Sequence, residues 1–415
     1  YEIVINSDPC IAYLMEENTM PMQALVIAHA CYGHNSFFKG NYLFRMWTDA
    51  ESIIDYLVYA RNYVTECEEL HGIEAVEALL DSCHALMSQG VDRYRRSQKP
   101  SLAEEEVRRK DREAYLQQQV NDLWRTLPKG SDKQVEKSSR RFPPEPEENL
   151  LYFIEKHAPL LEPWQREVVR IVRKVAQYFY PQRQTQVMNE GWATFWHYTL
   201  LNALYDEGRL TDGFMIEFLR SHTNVVCQLP VGHPGYSGVN PYALGFAMFS
   251  DLKRICENPT LEDRQWFPDL AGSDWRSTLH HAMRNYRDES FIGQFLSPRL
   301  MREMRLFSIV DDAAELELEV AAIHDEAGYR RVREALARQH DLSEREPNIQ
   351  VWNVDVRGDR SLTLRHSRQH DRPLSDDVRE VLKHVSRLWG FKVQLESVDN
   401  HGKVVQRWEA EPPRH

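Results

Sequence analysis

Two short stretches of this chain hold side chains suited to metal or acid–base chemistry. The first is HACYGH at 29–34, inside an almost unbroken apolar run over 22–38. Two imidazoles in such surroundings need partners, because a buried polar group without a hydrogen bond is costly. A metal ion would satisfy both, and so would main-chain carbonyls of the core. In the zinc-hydrolase motif HExxH the histidines stand four apart, about 40° around a regular helix. His29 and His34 stand five apart, about 140° on the same arithmetic. They share a face only where the helix is locally unwound or bulged, and Gly33 would tolerate that distortion. The residue after His29 is Ala30 rather than Glu. The usual general base of the motif is therefore missing from its usual place.

The second stretch is NEGWAT at 189–194. It places a carboxylate in an apolar helix whose Gly191 and Ala193 would let the histidine helix approach closely. Glu190 is the candidate third ligand; the alternative is a buried carboxylate paired with Arg or Lys. His197 lies seven residues on, about 20° off the same face but about 10.5 Å along the axis. One metal cannot readily take both. His197 is thus expected behind the ligands or against substrate, and it is the leading candidate for proton acceptor. The loop HPGYSGVNPY at 233–242 runs into a helix N-terminus, where oxyanions bind readily. Tyr242 or Tyr236 could donate to an oxyanion there, or simply pack as aromatics. Cys31 is either a thiolate nucleophile or ligand, or a buried inert thiol. Asn189, Cys31 and His233 complete the set expected around the ligands or substrate, whereas His84 and the pair His280 and His281 carry no metal spacing.

Helices must position most of these residues. YEIVIN at 1–6 predicts a strand, and 3.6-residue apolar spacing from residue 51 predicts a helix stopped by Gly72, with another near 74–90. In 164–180 the set Trp164, Val168, Ile171, Val172, Val175 and Phe179 forms one stripe, bounded by Pro163 and Pro181. A helix carrying Glu190 follows and ends at Gly208. Asn240 with Pro241, and Ser297 with Pro298, are N-cap and first-turn signals. Residues 101–148 change character. A charged helix there precedes a linker over 128–148 that cannot bury enough area to offset its ordering entropy; a docking loop for a partner is the alternative. LFSIVDD and LELEVAAI suggest a hairpin, and the tail reads ββαββ. The fold class expected is mainly α. A helical core covers 1–305 with the charged insertion at about 101–148, followed by a hairpin and helix connector at 306–344 and a small α+β domain at 345–415.

Composition narrows the function classes. Among 415 residues the charge is 51 − 63 = −12, which argues against a general nucleic-acid binder. A chain with 42% hydrophobic and 11% aromatic residues is not disordered throughout. Six cysteines, at 10, 31, 67, 83, 227 and 256, form no CxxC pair, a pattern suited to reduced cytoplasmic thiols. No apolar run reaches the roughly 20 residues of a membrane span. The chain opens at Tyr1, already in strand-like sequence, with neither an initiator Met nor a signal peptide. An N-terminal stretch is therefore expected to be missing, together with whatever it adds to the site.

The segments AHACYGHNSFFKGNYLF, QVMNEGWATFWHYTLLN and NPYALGFAMFSDLKRI, in that order, closely resemble the stage V sporulation protein R (SpoVR) family. The resemblance covers essentially the whole chain, including the tail. It implies a bacterial cytoplasmic protein linked to spore-cortex formation or stress physiology, often encoded beside a PrkA-type serine kinase and a YeaH-like protein. Members normally carry a further N-terminal segment. A strand, an H-x4-H helix and a later N-E-G-x-A helix are also similar, more distantly, to HExxxH zincin-type metallopeptidases related to tubulin-tyrosine carboxypeptidases. That likeness implies a zincin-like core with zinc on His29, His34 and Glu190. Ala30 departs from the pattern, so Glu17, Asp49, His197 or a group from the missing segment would have to activate water; otherwise the fold has kept the metal and lost the chemistry. The function implied is a zinc-dependent amidase or peptidase acting on a peptide or peptidoglycan-derived amide. The competing class is a non-catalytic regulator or scaffold working with the kinase system.

Overall fold

The computed structural model describes residues 2–93, 107, 110, 141–230, 232–306, 309–310, 319–320, 325–368 and 372–413. The expected linker up to residue 140, and nearly all of the charged helix before it, lie outside the described residues. The chain forms two compact units, residues 1–88 with 163–348 and residues 89–162 with 349–415.

The first unit is helical. Strand β1 (Glu2–Ile5) pairs antiparallel with β2 (Ile11–Leu14), a strand too short to signal itself in sequence. Helix α1 (Met20–Ile27), capped by the Thr19 side chain, runs straight into a π-helical segment, Ala28–His34, and on into α2 (Asn35–Gly40). Then come α3 (Tyr42–Trp47), α4 (Ile53–His71) and α5 (Ile73–Ala85). Gly72, at φ 88°, ends α4 as expected. Helices α6 (Pro163–Arg183), α7 (Gln186–Asp206), α8 (Asp212–Val225) and α9 (Pro241–Glu257) follow. Short helices α10 (Leu261–Trp266), α11 (Trp275–Asn285), α12 (Asp288–Phe295) and α13 (Pro298–Glu303) lead to the two-residue pair β3 (Ile309–Val310) and β4 (Glu319–Val320), then α14 (Glu326–His340). Both Asn–Pro and Ser–Pro starts form, with Asn240 accepting from Tyr242 N and Ser297 from Leu300 N. Pro181 does not end its helix but sits inside the last turn of α6, where its missing N–H removes only one ladder bond.

Helix α7 is the centre of this unit. Its Trp192 is fully buried, packs edge-on against Phe249 of α9 at 5.4 Å, and donates from Nε1 to Ser36 Oγ at 2.8 Å. On one side Gly191 meets Gly245 of α9 so closely that a Cβ at 191 would lie 2.4 Å from the Gly245 backbone. On the other, a Cβ at Gly33 would lie 2.4 Å from Ala193 Cα. Of the two small residues expected to admit the histidine helix, Ala193 does so; Gly191 admits α9 instead.

The second unit carries a sheet in the order β5 (Asn348–Val354), β6 (Leu362–Ser367), β7 (Val393–Val398) and β8 (Val404–Ala410). The β6–β7 pair is parallel, which demands a crossover; the helix Val378–Trp389 supplies it, giving the expected ββαββ order. From sequence, residues 149–162 are expected with the helical core. They cluster here with the sheet, where Phe153 of the helix Leu150–His157 stacks on Trp389 at 5.8 Å.

Candidate metal centre

The π segment resolves the five-residue spacing. Its hydrogen bonds reach back five residues, as from Asn35 N–H to the Ala30 carbonyl, so one turn carries His29 round to His34. The two rings lie nearly perpendicular, 4.5 Å between centroids. From α7, Glu190 Oε2 stands 3.6 Å from His29 Nε2 and 3.6 Å from His34 Nε2. Those distances are too long for hydrogen bonds, and this buried oxygen has no hydrogen-bond partner. The ligand atoms of the three residues lie within 4.8 Å of one another.

Both imidazoles are gripped from behind. His34 Nδ1 lies 2.9 Å from Asn189 Oδ1. His29 Nδ1 lies 3.0 Å from His197 Nδ1, and His197 Nε2 lies 3.0 Å from His222 Nδ1. All five of these side chains are buried. Burial by itself would raise the Glu190 carboxyl, but the His29 and His34 imidazoles and the Tyr242 hydroxyl hold it below the usual range, so it is ionised at neutral pH. Burial, then the neighbouring imidazoles, pushes His197 well below 6.5, and burial puts His222 at about 4. Both are therefore neutral. Two imidazole nitrogens and an unpartnered carboxylate oxygen facing one point form a donor set that fits a divalent cation.

A cavity of about 540 Å³ opens beside these residues, lined by His34, Asn189, Glu190, Arg183, Phe179 and Tyr242 among others. Phe179, expected in the buried stripe of α6, is 42% exposed and forms part of this wall. Tyr242, in the first turn of α9, hydrogen bonds to Glu190 with its hydroxyl.

The remaining expected residues fall elsewhere. His197 is 1% exposed, has both ring nitrogens engaged and does not line the cavity, so it cannot serve a substrate as proton acceptor. Glu17 is exposed in the turn after β2, and Asp49 is exposed and accepts from Ser52 Oγ. Cys31 is exposed on a separate cavity of about 580 Å³ that it shares with Cys10 and Lys39. His233 is an exposed loop residue whose Nδ1 accepts from Gly235 N–H at 3.0 Å; Tyr236 is also exposed. His222 was missed from sequence. The available signal was that it continues the buried stripe of Met215 and Phe218 along α8.

Comparison with known proteins agrees over the full length. A family model described as "SpoVR like protein" matches residues 1–345, and one described as "SpoVR-like C-terminal domain" matches residues 347–400. The chain is 67% identical over 414 residues to "Uncharacterized protein YcgB" of Escherichia coli (strain K12), covering 100% of this chain and 81% of that protein. No solved structure matches.

Proposed function

The chain belongs to the SpoVR family, and we propose that its helical unit is a metal-dependent amide hydrolase with zinc held by His29, His34 and Glu190. One observation carries the proposal: Glu190 Oε2 is buried without a hydrogen-bond partner, equidistant at 3.6 Å from two imidazole Nε2 atoms. Bound there, zinc would polarise a carbonyl and ease the ionisation of water at neutral pH. The chain's own residues supply the rest. The Tyr242 hydroxyl, hydrogen bonded to Glu190, would turn from it to donate to an oxyanion developing in the cavity. Arg183 and Gln186 offer polar groups to orient a substrate, and Phe38 and Phe179 give an apolar wall. That lining suits a peptide or peptidoglycan-derived amide, in the bacterial cytoplasm that family membership suggests.

A second reading has support of its own. Among the described residues lining the cavity, no carboxylate or imidazole beyond Glu190 and His34 is present, so a general base separate from the ligands is missing. A protein that keeps the metal as a structural element, and acts as a regulator or scaffold beside a PrkA-type kinase and a YeaH-like protein, accounts for that lining equally well. Elemental analysis of protein purified without added metal, joined to an amide-turnover screen, separates the two. Stoichiometric zinc with turnover that Glu190→Ala abolishes, the fold persisting, supports the hydrolase. Zinc without turnover of any amide gives the lead to the scaffold, and absence of metal refutes the metal centre in both.

A further inference from the structure

We propose that His197 and His222 are positioning residues that fix the His29 imidazole in its metal-binding tautomer, so that His222, two hydrogen bonds away from the ligand atoms, determines metal affinity. This rests on the metal centre proposed above. His29 presents Nε2 to Glu190 and Nδ1 to His197. A neutral imidazole has one N–H and one bare nitrogen. For Nε2 to coordinate, the proton must therefore sit on Nδ1 and be donated to His197 Nδ1, 3.0 Å away. His197 must then be bare at Nδ1 and protonated at Nε2, from which it donates to His222 Nδ1 at 3.0 Å. His222 in turn accepts at Nδ1 and carries its proton on Nε2.

No other assignment satisfies both hydrogen bonds while leaving His29 able to ligate. With the order reversed, His222 would donate to His197 and His197 to His29, and the remaining proton would stand on His29 Nε2, facing Glu190. Removing the acceptor at the end of the chain therefore acts on the ligand at its beginning. With His222 gone, His197 Nε2–H has no partner in a buried setting, where a lost hydrogen bond is expensive. His197 is then released to turn or to change tautomer, and either change breaks the hydrogen bond that orients His29. The second ligand has a one-step version of the same arrangement, since Asn189 Oδ1 accepts from His34 Nδ1–H. Partners of this kind, one layer behind a metal, typically account for about 10–100-fold in affinity.

The probe is zinc, titrated into the full chain against a chromophoric chelator, with imidazole ¹⁵N–¹H long-range correlations recorded on the zinc-loaded protein. His222→Phe should weaken zinc by about 10–100-fold with an unchanged far-UV CD spectrum. His222→Asn, whose side-chain oxygen can take the place of Nδ1 as acceptor, should recover most of that loss. In the loaded wild type, His197 and His222 should both report protonated Nε2 and bare Nδ1. Wild-type zinc binding with His222→Phe equally tight, or a loaded wild type with His197 protonated at Nδ1, overturns the relay and leaves the metal centre standing. Failure of the wild type itself to bind zinc overturns the metal centre, and the relay with it.

Discussion

Gly33→Ala tests the close approach on which the centre depends. The added Cβ would stand 2.4 Å from Ala193 Cα and 2.5 Å from its Cβ, whereas unstrained carbons sit about 3.5–4.0 Å apart. Neither neighbour can swing aside, one being main chain and the other rigidly attached to it. Helix α7 cannot retreat either, because on its far side a Cβ at Gly191 would already meet Gly245 backbone at 2.4 Å. The π segment must therefore shift by about 1 Å, taking His29 and His34 away from Glu190. Overpacking of this kind costs about 1–3 kcal/mol and occasionally more, while the better helix propensity of Ala returns at most about 1. We expect a net loss of about 1–2 kcal/mol in urea unfolding, together with weaker zinc binding. Ala193→Gly should fail to rescue it, since the clash with the main chain at 193 remains. Gly213→Ala, with nothing within 4 Å of its added Cβ, is the control and should be neutral or mildly stabilising. A Gly33→Ala protein as stable as the control would refute the packing argument.

Two further outcomes follow from the same structure. Asn41 is 0% exposed, accepts from Leu43 N and donates to the Met283 and Tyr286 carbonyls; Asn41→Ala strands these groups and should lose about 2–4 kcal/mol in chemical denaturation. His366 is 4% exposed, its Nδ1 lies 3.1 Å from Ser397 Oγ, and burial lowers it from 6.5 to about 4. The unfolded chain takes up that proton first, so the stability is intact above pH 6.5 and is lost as pH falls toward 4, about 2 kcal/mol of it by pH 5. His366→Asn should lack this dependence, and identical urea midpoints against pH in variant and wild type would contradict it. The comparison must be made against the variant because Asp288, raised by burial to about 7, has the opposite sign: its contribution is present at low pH and lost as pH rises toward 7.

The convergence of His29, His34 and Glu190 was legible because it depends on residue type and spacing. Two histidines in an apolar run, five apart with a glycine between them, could share a face only through a bulge, and the backbone adopts one. Glu190 stood out as a carboxylate among small and aromatic neighbours. The ββαββ tail was legible for a similar reason, since two-residue alternation either side of a single amphipathic helix leaves few arrangements. Orientation was not legible. Nothing in the period of α7 told whether His197 would face the cavity or the core, and the answer came from α8, whose His222 holds its second nitrogen. Likewise the apolar helix Leu150–His157 announced that it needed cover without saying from which unit.

Orientation also alters what Ala30 means. Judged by spacing, an alanine after the first histidine removes a general base, as if the side chain at that position faced the reacting centre. In the π segment Ala30 is itself buried, 1% exposed. Ala30 lines the cavity of Cys10, Cys31 and Lys39, whereas His34, Glu190 and Tyr242 line the other. Position 30 thus borders a different cavity from the one that Glu190 lines, and spacing alone does not make its side chain part of the centre. The weight falls on groups that do border the centre. Glu190 Oε2 faces the two histidines from 3.6 Å, and His197 is sealed behind them. Tyr242 is then the side chain on which the hydrolase and the scaffold part company: in a hydrolase its hydroxyl must leave Glu190 to meet a substrate oxygen, and in a scaffold it has no reason to move.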